Sequence, residues 1–68
     1  MKYYIKVGNM FLYDYDVDPN CINNEFISSI TLRSDVKDLF ISEEFANIVA
    51  NKIFIITGAK CEVCKNNE

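Results

Sequence analysis

Gly8-Asn9 stands between two short runs of aromatic, β-branched and aliphatic residues, Tyr3-Tyr4-Ile5-Lys6-Val7 and Met10-Phe11-Leu12-Tyr13. Glycine accepts the positive φ that a two-residue hairpin turn requires, so this pattern predicts strands over 2–7 and 10–16 joined by a tight turn. The start of the chain is thereby committed to antiparallel sheet. Residues 17–25 (VDPNCINNE) are turn chemistry, with Pro19 and three asparagines. Strand character returns from Phe26 to Leu32, where alternation predicts Phe26, Ser28, Ile30 and Leu32 on the more buried face. A polar turn at 33–38 follows, and Leu39-Phe40-Ile41 reads as a brief strand.

Ser42 before Glu43-Glu44 is a helix start: the hydroxyl accepts an orphan N–H, and the carboxylates meet the positive end of the helix dipole. Phe45, Ile48, Val49, Lys52, Ile53 and Ile56 keep a helical rhythm. The β-branched stretch 53–57 also suits a buried strand; a helix through about Thr57, closed by Gly58, is the preferred reading. Residues 59–64 then read as a last strand before a polar tail. The expectation is a single α+β domain over 1–68, an antiparallel sheet of three to four strands with the N-terminal hairpin first, packed by one helix.

A core built from 68 residues contributes roughly 3–5 kcal/mol of net stability, and folds of this size often recruit a staple. The chain offers three cysteines and no histidine. The N-terminus lacks the uninterrupted apolar segment of a secretory signal, and no run approaches a membrane span. A cytoplasmic location with reduced thiols is expected, and thiols there read as metal ligands. Cys61-Glu62-Val63-Cys64 has knuckle spacing, and Asp18-Pro19-Asn20-Cys21 repeats the interval with an aspartate in first place. Asp18, Cys21, Cys61 and Cys64 would close a tetrahedral structural zinc site, one ion, with Asp16 or Glu62 able to replace Asp18. That reading requires the last strand to end or turn by about Val63, because a straight strand points residues three apart to opposite faces. The series Asp14, Asp16, Asp18, Asn20 and Glu25 also mimics a calcium loop, but Pro19 occupies the position where such a loop needs glycine.

Without histidine there is no Ser-His or Cys-His pair, Glu43 and Glu44 diverge around a helix, and Ser28-Ser29 lacks a base. A non-enzyme is expected. Arg33 is the sole arginine and no basic cluster exists, which argues against direct nucleic-acid binding. The acidic stretch Asp14, Asp16, Asp18 and Glu25 adjoins Tyr13 and Tyr15 on the predicted hairpin. An exposed acidic and aromatic surface of Tyr13, Asp14, Tyr15, Asp16, Glu25, Asp35, Asp38, Glu43 and Glu44 is the expected partner-binding face.

The order of a hairpin opening Lys2-Tyr3-Tyr4-Ile5-Lys6-Val7-Gly8-Asn9, an Asp-rich loop, the turn 33–38, Phe40-Ile41-Ser42-Glu43-Glu44-Phe45-Ala46 and Gly58-Ala59-Lys60 resembles small early proteins of phages from low-GC bacteria. With its cysteines and acidic surface the chain looks similar to a zinc-containing anti-CRISPR inhibitor of a type II RNA-guided nuclease. The resemblance implies a protein-binding inhibitor acting in the cytoplasm of an infected bacterial host, its carboxylates occupying a channel that otherwise holds nucleic acid or, the more modest version, its aromatic and acidic patch docking on one domain; a monomer is expected. The alternative is a zinc-stapled structural or regulatory adaptor of a phage or bacterial complex.

Overall fold

The structure, a computed structural model, describes residues 1–18, 20 and 27–67. The elements run β1 (Lys2–Val7), β2 (Met10–Val17), β3 (Ile27–Arg33), α1 (Glu43–Thr57) and β4 (Cys61–Asn66). The strands form one antiparallel sheet in the order β3-β2-β1-β4, so the fold is α+β as expected. The Gly8-Asn9 hairpin is present, with Gly8 at φ 64° and Val7 opposite Met10.

Each end of α1 is fixed by its own sequence. Ser42 is extended and its Oγ accepts the Phe45 amide at 3.2 Å. Gly58 adopts φ 73° and donates its N–H to the Phe54 carbonyl at 2.8 Å, closing the last turn where a side chain would be strained. The ambiguous stretch 53–57 is helix. The core-facing residues of α1, Ala46, Val49, Ala50 and Ile53, pack on Ile5, Leu12, Ile27 and Phe40, with Tyr3, Val7, Tyr15, Ile30, Leu32, Cys61 and Val63 around them.

The hairpin does not zip to its open end. β1 and β2 pair at Lys6↔Phe11 and Val7↔Met10, and beyond these the strands part to admit the chain at 38–40. The Asp38 amide donates to the Leu12 carbonyl at 2.9 Å, and Tyr3 and Phe40 exchange two hydrogen bonds of 2.8 and 2.7 Å. The expected strand at 39–41 is thus a single bridge at Phe40. On one side of this crossing the Lys37 ammonium lies over the rings of Tyr4 and Phe11; on the other, Phe40 packs between Tyr15 and Phe45 with ring centroids at 6.5 and 5.8 Å. The connection from β3 to α1 therefore passes through the sheet from its open face to its helix face, inside the fork of the hairpin.

Two irregularities correct the simple alternation. A register shift between Leu12 and Asp14 leaves Leu12 and Tyr15 both on the core face, with Phe11, Tyr13 and Asp14 on the open face. A second shift between Asp16 and Val17 buries Ile27 and exposes Ser28, the reverse of the expected order there, while Ile30 and Leu32 face the core as expected. Phe26 lies outside the described residues.

Candidate partner-binding face

Alternation about the buried Ile5 and Leu12 sends Tyr4, Lys6 and Phe11 to the face of the sheet opposite α1. Tyr4 and Phe11 meet edge to face with centroids 5.5 Å apart, a favoured aromatic geometry. Lys37 arrives from the β3–α1 connection and holds its ammonium 4.1 Å from the Tyr4 centroid and 5.4 Å from that of Phe11. Beside them the Arg33 guanidinium lies 5.3 Å from the Tyr13 centroid. Two cations over three rings make an amphipathic surface in which the ring faces attract positive charge. Among the described residues no helix or strand packs on this face.

The expected acidic residues divide among several places. Asp14 and Asp16 lie on the open face at the far end of β2: Asp14 Oδ1 accepts the Tyr15 amide at 2.9 Å, and Asp16 Oδ2 accepts the Ser29 hydroxyl at 3.3 Å. Asp35 is paired with Arg33 at 3.1 Å, and that hydrogen bond, followed by backbone amides, holds its carboxyl below the usual range. Asp38 lies in the fork, where partial burial and then the charge of Asp14 push its carboxyl up, against a hydrogen bond from the Leu39 amide. Tyr15, expected on the binding surface, faces the core instead; burial, then Asp38 and Asp14, raise its phenol. Glu43 and Glu44 stand in the first turn of α1, on the helix layer. Glu25 lies outside the described residues. Tyr13, Asp14 and Asp16 are thus the expected residues that share the face, with Asp35 at its margin through its pair with Arg33, while Tyr4, Phe11, Arg33 and Lys37 were not among them. Tyr4 and Phe11 carried a signal, their alternation with Ile5 and Leu12; Lys37 carried none, since it is placed there by the connection that runs over the open face before entering the fork at 38–40.

The thiols are placed apart. β4 continues in register against β1 from Val7↔Cys61 through Lys2↔Asn66, so no turn occurs at Val63. Cys61 packs toward the core, its Sγ 3.6 Å from the Ala59 carbonyl, and burial pushes its thiol up. Cys64 emerges on the open face beside Tyr4, its Sγ 3.8 Å from Glu62 Oε2. Asp18 follows the far end of β2 and accepts the Asn20 amide at 2.9 Å. With Cys61 level with the hairpin turn, this puts Asp18 roughly 25 Å away at about 3.3 Å per strand residue. Cys21, the remaining expected ligand, lies outside the described residues. Asp18, Cys61 and Cys64 are not brought together, and among the described residues no three Cys, Asp or Glu side chains are grouped to hold a metal ion. Zinc held by both Cys61 and Cys64 would require β4 to break at Val63.

No helix of the described chain is long and apolar enough to cross a membrane. In comparisons with known proteins, no family model, no curated protein and no solved structure matches this chain.

Proposed function

We propose that this chain is a non-enzymatic protein-binding module whose working surface is the open face of the sheet. The observation that supports the reading is the aromatic row Tyr4, Phe11 and Tyr13, lying under Lys37 and Arg33 and flanked by Asp14 and Asp16. Aromatic rings held in fixed geometry with charges at their margin are what interface hot spots are made of, because they bury much area and lose little side-chain entropy on binding. Tyr13 is the most open ring of the row and is the residue to anchor the partner.

The partner class follows from the resemblance to small phage inhibitors: a type II RNA-guided nuclease. Asp14 and Asp16 engage a basic surface at the rim while the rings engage an apolar one. This is docking by one compact patch, since Asp35 is neutralised by Arg33 and the carboxylates of α1 lie on the helix layer. The proposal does not depend on zinc.

The test is target cleavage by a purified nuclease of this type with increasing amounts of the protein. Inhibition at near-stoichiometric ratio is expected, with Tyr13→Ala weakening binding about 30-fold or more. Asp14→Lys should weaken association chiefly at low salt. Undiminished cleavage at large molar excess would reject the nuclease as partner. Inhibition that survives both substitutions would reject the face.

A further inference from the structure

β4 is the edge of the sheet beside β1, and the fork fixes which of its main-chain groups are already used. Tyr3 gives its N–H and its C=O to Phe40, so neither is left for Lys65, which stands opposite it. Hydrogen-bonded and open pairs alternate along an antiparallel ladder. Tyr3↔Lys65, Ile5↔Val63 and Val7↔Cys61 are therefore the open pairs, and the N–H and C=O groups of Cys61, Val63 and Lys65 point outward. Among the described residues no strand pairs with that edge. Sheet edges are commonly blunted by bulges or proline. β3, at the other edge, has two register shifts in its pairing; β4 has none and contains no proline.

The β4 edge opens onto a groove beneath α1. Asn47, Ala50, Asn51 and Phe54 of the helix line, with Lys60 and Cys61, a cavity of about 310 Å³. Lys60 is the charged residue of that lining, and on the other face of the same corner it adjoins Lys6 and Glu62. Cys61 and Val63 are half-buried toward the helix side, and Phe54 is 50 % exposed. Alternation puts Lys65 on that side too, at the far end of the edge.

We propose that the β4 edge takes up an extended segment of a partner protein as a fifth strand, antiparallel to β4, with apolar side chains opposite Val63 and Cys61 and a carboxylate at each end, beside Lys65 and Lys60. The outward main-chain groups make the occupant a strand. Its residues opposite Cys61, Val63 and Lys65 point to the helix side, so the side chain opposite Cys61 enters the groove and the one opposite Val63 completes its burial. The lysines at the two ends select carboxylates. A second copy of β4 fits poorly. The symmetric registers that pair the length of the edge are centred on Val63 or on Cys64. The first sets Lys65 of one copy against Cys61 of the other, beside Lys60; the second sets it against Val63. Either way a lysine stands where the groove calls for an apolar side chain.

The test uses the whole protein and a fluorescently labelled peptide with blocked ends, Glu-Thr-Val-Thr-Leu-Glu, read by fluorescence anisotropy and by amide NMR. Saturable binding with a dissociation constant on the order of 100 µM is expected, with the largest amide shifts at Cys61, Val63 and Lys65. Methylating the valine and leucine nitrogens of the peptide, which face β4, should weaken binding about 10-fold or more. Methylating the two threonine nitrogens, which face away, should change it by less than about threefold. Alanine in place of the peptide's leucine should weaken it about fivefold or more. Lys60→Glu and Lys65→Glu should each weaken it roughly 2- to 5-fold, and the double variant should prefer a peptide with lysines in place of its glutamates. No binding up to about 1 mM peptide, equal effects of the two methylation patterns, or shifts centred on another element would overturn the proposal. So would sedimentation velocity that shows a dimer whose contact, mapped by the same amides, is β4, since a second copy then fills the edge.

Discussion

Phe40 carries the fork on its own side chain, and its removal is the sharpest test of the architecture. The ring is only 6 % exposed and touches Tyr15 and Phe45, while its backbone bridges Tyr3. Burying a side chain of this size contributes about 1.5–3 kcal/mol. Each aromatic contact adds about 0.5–1.5 kcal/mol, and truncation leaves a cavity whose walls relax only in part, so Phe40→Ala should cost about 3–5 kcal/mol. A core of this size supplies roughly the same amount in total, so the variant should be largely unfolded at 25 °C. Phe40→Leu keeps most of the volume and should cost about 1.5 kcal/mol or less, which places it in a measurable range. Phe54→Ala is the control, the same chemical change at a half-exposed ring on α1, with an expected cost of about 1 kcal/mol. The assay is urea unfolding followed by far-UV circular dichroism and tyrosine fluorescence, the chain having four tyrosines and no tryptophan. If Phe40→Ala lies within about 1 kcal/mol of wild type, or costs no more than Phe54→Ala, the ring is not a keystone of the core and the description of the fork is wrong.

Other expectations are independent of that one. Gly58→Ala should lower stability by about 1–2 kcal/mol in the same assay: the position holds φ 73° while open space surrounds an added Cβ, so the penalty is conformational and not steric. Asp38→Asn should stabilise the protein at pH 7 and lose that advantage on acidification. The native Asp38 carboxyl binds its proton more tightly than the unfolded one, so its ionisation takes stability away as pH rises through the interval between the unfolded and the folded pKa. Urea titrations at pH 7 and at about pH 3, below the unfolded value near 3.9, check the sign. Alkylation with iodoacetamide at neutral pH, read by fragment mass spectrometry, should modify Cys64 before Cys61, because Cys61 packs toward the core and burial raises its thiol. Equal rates would contradict the placement of the two thiols on opposite faces.

Features set by a few adjacent residues were legible in the sequence. Gly8-Asn9, Ser42 with Glu43-Glu44, and Gly58 each act within one turn of chain, and each does in the structure what its chemistry predicts. The helical register over 53–57 was legible too, because Ile53 continues a buried stripe that a strand would have broken. What escaped depends on partners distant in sequence. The shift between Leu12 and Asp14 moves Tyr15 to the core, and it arises where β2 loses β1 as a neighbour and gains the segment at 38–40. The proposed partner-binding face differs accordingly from the expected one, without Tyr15 and with Tyr4, Phe11, Arg33 and Lys37. The spacing of Cys61 and Cys64 fits a knuckle or a strand equally well, and the continuous register with β1 selects the strand.

The fork also dictates an order of events during folding. The N-terminal hairpin is local and closes within microseconds, whereas Tyr3 meets Phe40 only after most of the chain has been brought back, a closure of high contact order. Until then nothing holds the strands apart, and Ile5 and Leu12 continue the register set by Lys6↔Phe11. An isolated peptide of residues 1–18 should therefore zip further than the same residues do in the native protein, with cross-strand contacts between Tyr4 and Tyr13 visible by NMR. In the whole chain those over-closed pairs must reopen to let residues 38–40 through, so refolding should speed up when Tyr4↔Tyr13 pairing is weakened and slow down when it is reinforced.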